Sequence, residues 1–143
     1  MDLKLTGHMV SGQLARANLA LARAFTERLK SMGVYLGQEL ILLALQEEDG
    51  MTQSQLAARH CVDLSTITKV VQRMERAELV LRRPDPDDAR ISRVYLTEKG
   101  RALCEPCWQA WIDLEQQLTQ GLSEAERVLL HRLLSVIASN MED

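Results

Sequence analysis

From Met9 to Met32 the apolar residues Val10, Leu14, Ala17, Leu21, Ala24, Phe25, Leu29 and Met32 recur at three- and four-residue steps. This spacing predicts a long amphipathic helix with Arg16, Arg23, Glu27 and Arg28 on its wet side, ended by Gly33. A second helix fits Gly37 to Gln46, where Leu40, Ile41, Leu43, Ala44 and Leu45 are apolar nearly all round, and it is expected between two layers. Glu47, Glu48, Asp49 and Gly50 read as a solvated turn.

Thr52 and Gln55 have the spacing of a capping box and open a short helix that carries Leu56, Ala57 and Ala58 and stops near Arg59. His60 to Asp63 make a turn, and Asp63 is placed to cap the next helix at Leu64 or Ser65. In that helix Leu64, Ile67, Val70, Val71 and Met74 form the apolar face, leaving Ser65, Thr66, Thr68, Lys69, Gln72 and Arg73 outward. Two short helices across a tight turn, the second with a polar and cationic face, form a helix-turn-helix. The period then changes to two. Leu79 to Arg83 and Arg93 to Thr97 read as strands joined by the Pro/Asp cluster Pro84 to Asp88. A helix followed by a basic hairpin is what places side chains in a DNA groove and holds the flanking backbone.

Beyond the hairpin, Thr97 caps a long helix with Glu98 in its first turn and Leu103, Cys107, Ala110, Trp111, Leu114 and Leu118 along it. It is expected to bend at Pro106 and to stop at Gly121. Ser123 and Glu126 form a second capping box, and Leu129, Leu130, Leu133, Leu134, Ile137 and Met141 give the last helix an apolar face. The two ends of the chain carry more apolar surface than so small a unit covers alone. A homodimer joined through Met9 to Met32 and Thr97 to Met141 is the expected solution.

Composition narrows the class. With 143 residues, 46% hydrophobic and 26% charged, the chain has the size of one domain and the balance of a folded protein. No apolar run reaches the roughly 18 residues of a membrane span, and MDLKLTGHMV has no signal-peptide pattern, so a soluble cytoplasmic protein is expected. The net charge of −3 hides an uneven distribution: Thr52 to Arg101 holds ten Lys/Arg against seven Asp/Glu, and the rest of the chain is acidic. That is the pattern of a protein whose middle third faces phosphate.

Three cysteines, an odd number, do not suit a disulfide framework. Cys104 and Cys107 form a C-x-P-C sequence on one side of a predicted helix, read either as core packing or as a redox pair; Cys61, before the outward-facing helix, is the third redox candidate or a buried small residue. His8, His60 and His131 are scattered, so neither a metal nor another cofactor is expected, and no nucleophile–base or paired-carboxylate arrangement supports an enzyme.

The hairpin carries the most specific pattern, Asp85-Pro86-Asp87-Asp88-Ala89-Arg90 followed by Val94-Tyr95-Leu96-Thr97-Glu98-Lys99-Gly100. With these residues the chain resembles the MarR (multiple antibiotic resistance) family of winged-helix regulators, whose wing carries Asp-x-Arg and then Leu-Thr-x-x-Gly, matched here by Asp88, Arg90, Leu96, Thr97 and Gly100. One position departs: Glu78 stands where that family has glycine between recognition helix and wing. The resemblance implies a mainly α, winged-helix (α+β) fold of six helices with a small antiparallel β-hairpin. Residues 36–97 would form the DNA-binding lobe, and residues 1–35 and 98–143 the dimerisation helices.

It also implies a transcription regulator, a repressor, bound as a homodimer to a pseudo-palindromic site in double-stranded DNA. Ser65, Thr66, Thr68, Lys69, Gln72 and Arg73 would face the major groove, with Gln72 on adenine and Arg73 or Lys69 on guanine or phosphate. Arg90 would enter the minor groove, held by Asp88, while Arg82, Arg83 and Arg93 meet phosphates. A small aromatic or amphipathic ligand would release the DNA, with Val10, Leu14, Ala17, Leu40 and Trp111 as candidate contacts. The oxidant-sensing cysteine that some members carry in the first helix has no counterpart here. The rival readings are a winged-helix module that binds another protein and a cysteine-based redox regulator.

Overall fold

The computed structural model describes residues 6–142, so residues 1–5 and 143 of the two expected dimerisation segments lie outside the described residues. The elements are α1 (Val10–Lys30), α2 (Gln38–Glu47), β1 (Met51–Thr52), α3 (Gln53–Arg59), α4 (Leu64–Arg76), β2 (Val80–Pro84), β3 (Ser92–Leu96), α5 (Glu98–Leu118) and α6 (Glu124–Met141). The strands form an antiparallel sheet in the order β1-β3-β2, with Val80 opposite Leu96 and Arg82 opposite Val94. The expected six helices and hairpin are present, with one strand more than the period-two pattern showed. A strand of two residues is too short to display a period. Met51 pairs with Val94 and Thr52 with Arg93, while Gly50 N–H donates to the Val94 carbonyl at 3.0 Å.

The core lies where α2 is enclosed by α1, α5 and the sheet. Ile41, Leu42, Ala44 and Leu45 are buried there, as the all-round apolar pattern required, with Phe25, Leu29, Leu56, Val71, Met74, Leu79, Val94, Cys104 and Cys107 around them. A buried Leu or Phe contributes about 1.5–3 kcal/mol, and α1 supplies such residues only from its last two turns. Its first half and α6 differ sharply from this. Val10 and Leu14 are exposed, and α6 has no buried residue at all, Leu129, Leu130, Leu133 and Leu134 lying open.

Three local readings are corrected. Leu64, expected on the buried face, is exposed, because the first residue of α4 projects beyond the edge of the core. Cys61 is exposed as well, in the turn. The turn at Glu47–Gly50 is only partly solvated: Gly50 is buried, and Asp49 Oδ1 accepts the Leu96 N–H at 2.9 Å while its Oδ2 accepts from Arg101 at 3.0 Å. Asp49 thereby ties the sheet to α5. The buried Glu39 carries no signal in the apolar pattern. It accepts the Gly37 N–H at 2.7 Å, and burial pushes its carboxyl above the ordinary value against the pull of backbone N–H groups.

The end of α4 sets the stance of the wing. Leu79 N–H donates to the Met74 carbonyl at 2.9 Å and Glu78 N–H to Glu75 at 3.0 Å, the paired closure that requires a left-handed residue between them. Glu78 takes that conformation, with φ +62, so the helix ends as a glycine would end it. Thr97 and Lys99 brace the joint: the Thr97 hydroxyl donates to the Glu78 carbonyl at 2.6 Å, and the Lys99 ammonium to the Ala77 carbonyl at 3.0 Å. Gly100 lets α5 start this close, since a Cβ there would meet the Leu79 carbonyl oxygen at 2.0 Å.

A left-handed L-residue costs about 1–2 kcal/mol, and glycine loses part of that advantage to its freedom in the unfolded chain. Glu78→Gly is therefore expected to stabilise the protein by about 1 kcal/mol. Urea unfolding that showed a destabilised variant would contradict the strain at this joint.

Candidate nucleic-acid interface

The candidate surface is built on α4, aimed by its first residues. Asp63 is the N-cap: its Oδ1 accepts the Thr66 N–H at 2.7 Å and the Ser65 hydroxyl at 2.7 Å. These bonds, with Lys69 nearby, hold its carboxyl down at about 2. The turn before it closes on Cys61, another left-handed residue, at φ +53. Ile67, Val71 and Met74 anchor the inner face of α4. Ser65, Thr66, Lys69 and Arg73 are exposed on the outer face, whereas Thr68 and Gln72 are half-buried at its edge. Lys69 and Arg73 make no ion pair among the described residues, nor does Arg76, which continues their row at the four- and three-residue steps of one helix face. Arg76 was the next step of the pattern that singled out Lys69 and Arg73.

The wing is organised by a carboxylate that the motif did not single out. Asp85, nearly buried, accepts the N–H groups of Asp87 at 2.8 Å and Asp88 at 3.1 Å through Oδ1, and Arg93 Nε at 2.5 Å through Oδ2. Its signal was the Asp-Pro-Asp-Asp run, since an Asp that bonds backbone two residues on is a turn former. Arg93 also donates to the Gly50 carbonyl at 2.8 Å, so this arginine spans the wing loop and the turn that leads into β1. Arg82 faces Glu75 of α4, with Nη2 to Oε1 at 3.1 Å and its backbone N–H to Oε2 at 3.2 Å. Arg83 is exposed and carries no ion pair among the described residues. Asp88 holds Arg90 in a fork, Nε at 3.0 Å and Nη2 at 3.1 Å, leaving the Arg90 side chain 90% exposed at the tip. The pairing holds the Asp88 carboxyl below its ordinary value and raises that of the Arg90 guanidinium.

The five expected ligand contacts are not gathered in one place. Val10 and Leu14 line a groove with Ile137 and Met141, Ala17 is exposed further along α1, Trp111 packs on Phe25 with ring centres 4.6 Å apart, and Leu40 is exposed on α2. A cleft of about 790 Å³ lies elsewhere, between the α1–α2 connection and α4, lined by Thr26, Tyr35, Gln38, Val70, Arg73 and Arg76. Cys104 and Cys107 are free and buried, and burial pushes their thiols up, Cys107 to about 11 with Glu39 adding to the effect. A protonated, enclosed thiol is a poor nucleophile. Among the described residues no cluster of His, Cys, Asp or Glu could hold a metal ion, and no described helix is long and apolar enough to cross a membrane.

The chain is similar to known proteins in both sequence and fold. A sequence model of the MarR family matches residues 34–92. The HTH-type transcriptional repressor IacR of Pseudomonas putida is 32% identical over 129 residues, 90% of this chain and 77% of that protein. The crystal structure of a MarR mutant from Escherichia coli complexed with operator DNA is 30% identical, with TM-score 0.81 over 92% of this chain and 96% of that one. Bordetella bronchiseptica BpsR, whose DNA binding is regulated by 6-hydroxynicotinic acid, is 27% identical, with TM-score 0.83 over 94% of this chain and 95% of that one.

The Asp63 cap has a pH signature. Its folded value lies below the ordinary 3.8, so its contribution is complete above that value and lost as pH falls toward about 2. Asp63→Ala is expected to be less stable than the native protein at pH 7, with the difference narrowing by pH 2.5. A gap that stayed constant in urea titrations across this range would remove the charged cap from the account.

Proposed function

The chain belongs to the MarR family, and on that premise we propose that it is a transcription regulator that binds operator DNA as a homodimer and is released by a small anionic ligand. The observation that carries this reading is the row of unpaired cations on α4, joined by the unpaired Arg83 and by the exposed wing-tip Arg90, which Asp88 holds in place, on a chain of net charge −3. Ser65, Thr66, Lys69, Gln72 and Arg73 read base edges in the major groove, Arg90 enters the minor groove, and Arg83 meets phosphate. Thr68, Arg82, Asp88 and Arg93 serve the same interface by holding its parts in place, since the polar groups of each are engaged within the protein. The relatives are transcriptional regulators, which supports a non-enzymatic role, in the cytoplasm where the DNA is.

Residues 1–35 and 98–143 join two copies, supported by the open apolar faces of α1 and α6, and residues 36–97 bind DNA. The ligand is an aromatic or amphipathic anion seated in the cleft beside α4, where Arg73 and Arg76 supply charge and Tyr35 an aromatic face. The cleft has the size of a small-molecule site. Such a ligand acts through its preference for one spacing of the two lobes.

Selection of bound duplexes from a random pool is expected to return an inverted repeat with half-sites about one turn apart, and light scattering at micromolar concentration a dimer. On the selected duplex, Arg90→Ala is expected to weaken binding and to lower the slope of log K against log salt by about 0.9 per subunit. An unchanged slope would remove Arg90 from the ionic contacts; no binding to any duplex at low salt would favour a protein partner.

A further inference from the structure

Thr68 and Gln53 are 15 residues apart and meet across the helix-turn-helix. The Thr68 hydroxyl lies 2.9 Å from Gln53 Oε1 and 2.8 Å from the Leu64 carbonyl oxygen, two acceptors for one proton. Beside it, the Ser65 hydroxyl donates to Asp63. Two hydroxyls on this edge of α4 therefore spend their protons inside the protein. Gln53, half-buried as the first residue of α3, has the reverse balance. Its carbonyl end is engaged by Thr68, while its amide nitrogen, with two N–H donors, has no hydrogen-bond partner among the described residues.

We infer that Gln53 is a DNA-contacting residue, presented to the duplex by Thr68, which acts as a positioning residue. The inference rests on the DNA-binding reading above. The group that Gln53 meets is a hydrogen-bond acceptor of DNA, either a phosphate oxygen, since the first helix of such a motif crosses the backbone, or an oxygen or ring nitrogen on a base edge. The Thr68 proton decides which end of the amide faces out. Given to Gln53, it leaves the N–H groups outward; given to the Leu64 carbonyl, it reverses the amide and turns an oxygen toward the acceptors of DNA. Bound DNA selects the first arrangement.

The test measures the affinity of the native dimer and of Gln53→Ala, Gln53→Glu, Thr68→Val and Thr68→Ser on the selected operator, with single-pair variants of it and an unrelated duplex. Thermal unfolding of each variant is recorded alongside. Gln53→Ala is expected to bind roughly five-fold more weakly per half-site, the worth of about one hydrogen bond, with an unchanged salt slope because no charge is removed. Gln53→Glu keeps an acceptor for Thr68 but faces the DNA with an oxygen, so it loses at least as much while remaining folded. Thr68→Val weakens binding, Thr68→Ser restores it, and Gln53→Ala combined with Thr68→Val is no worse than Gln53→Ala alone. A loss equal on every duplex assigns the acceptor to the backbone, and a loss confined to one base pair assigns it to that base. The proposal is overturned if Gln53→Ala or Gln53→Glu binds as the native protein does, or if the two positions act additively. If the native protein binds no duplex, the DNA-binding reading falls first and this one with it.

Discussion

The angle between α4 and the wing depends on the three residues Ala77 to Leu79. A helix ends with carbonyl groups that lack partners, and here the last of them are met by the chain's own return, by the Thr97 hydroxyl and by the Lys99 ammonium. Thr97 is at the same time the cap of α5, accepting the Gly100 N–H at 3.0 Å. One side chain thus fixes the end of α4 and the start of α5. The left-handed Glu78 is tolerated because everything around it prescribes that conformation. Its side chain projects into solvent, so the cost is confined to the backbone.

The helices were legible because their signals are local. Period, caps and the two capping boxes at Thr52 and Ser123 lie within one turn of the residues they organise, and both boxes form. What sequence reasoning missed depends on contacts made at a distance. β1 exists because Gly50 to Thr52 reach β3, more than 40 residues away, and Asp49 has its role for the same reason. Gln53 gave no sign of its pairing with Thr68. Glu78 shows the opposite case: the departure from the family pattern is visible in the sequence, yet only the structure shows Glu78 itself taking the left-handed backbone that glycine adopts most cheaply. Within the interface, the sequence distinguished cationic positions from apolar ones but not free cations from engaged ones.

That distinction gives the wing its character. Arg82 and Arg93 are bound to Glu75 and Asp85, and their charges are locally cancelled. These pairs hold the shape of a loop that has little apolar material of its own, and the unpaired charge is left to Arg83 and, in part, to Arg90. A wing with every arginine free would be more attractive to phosphate and less defined in space. Here placement has been favoured over strength.

The open face of α6 has a consequence beyond the assembly it implies. A helix of 18 residues with nothing buried against its own chain has little to hold it in an isolated subunit, where helices of this length are marginal. When a second copy provides the missing contacts, the order of α6 becomes a function of protein concentration, and dilution acts on the molecule as mild heating does. The number of copies in a cell is then a variable in the folding equilibrium as well as in the occupancy of the operator.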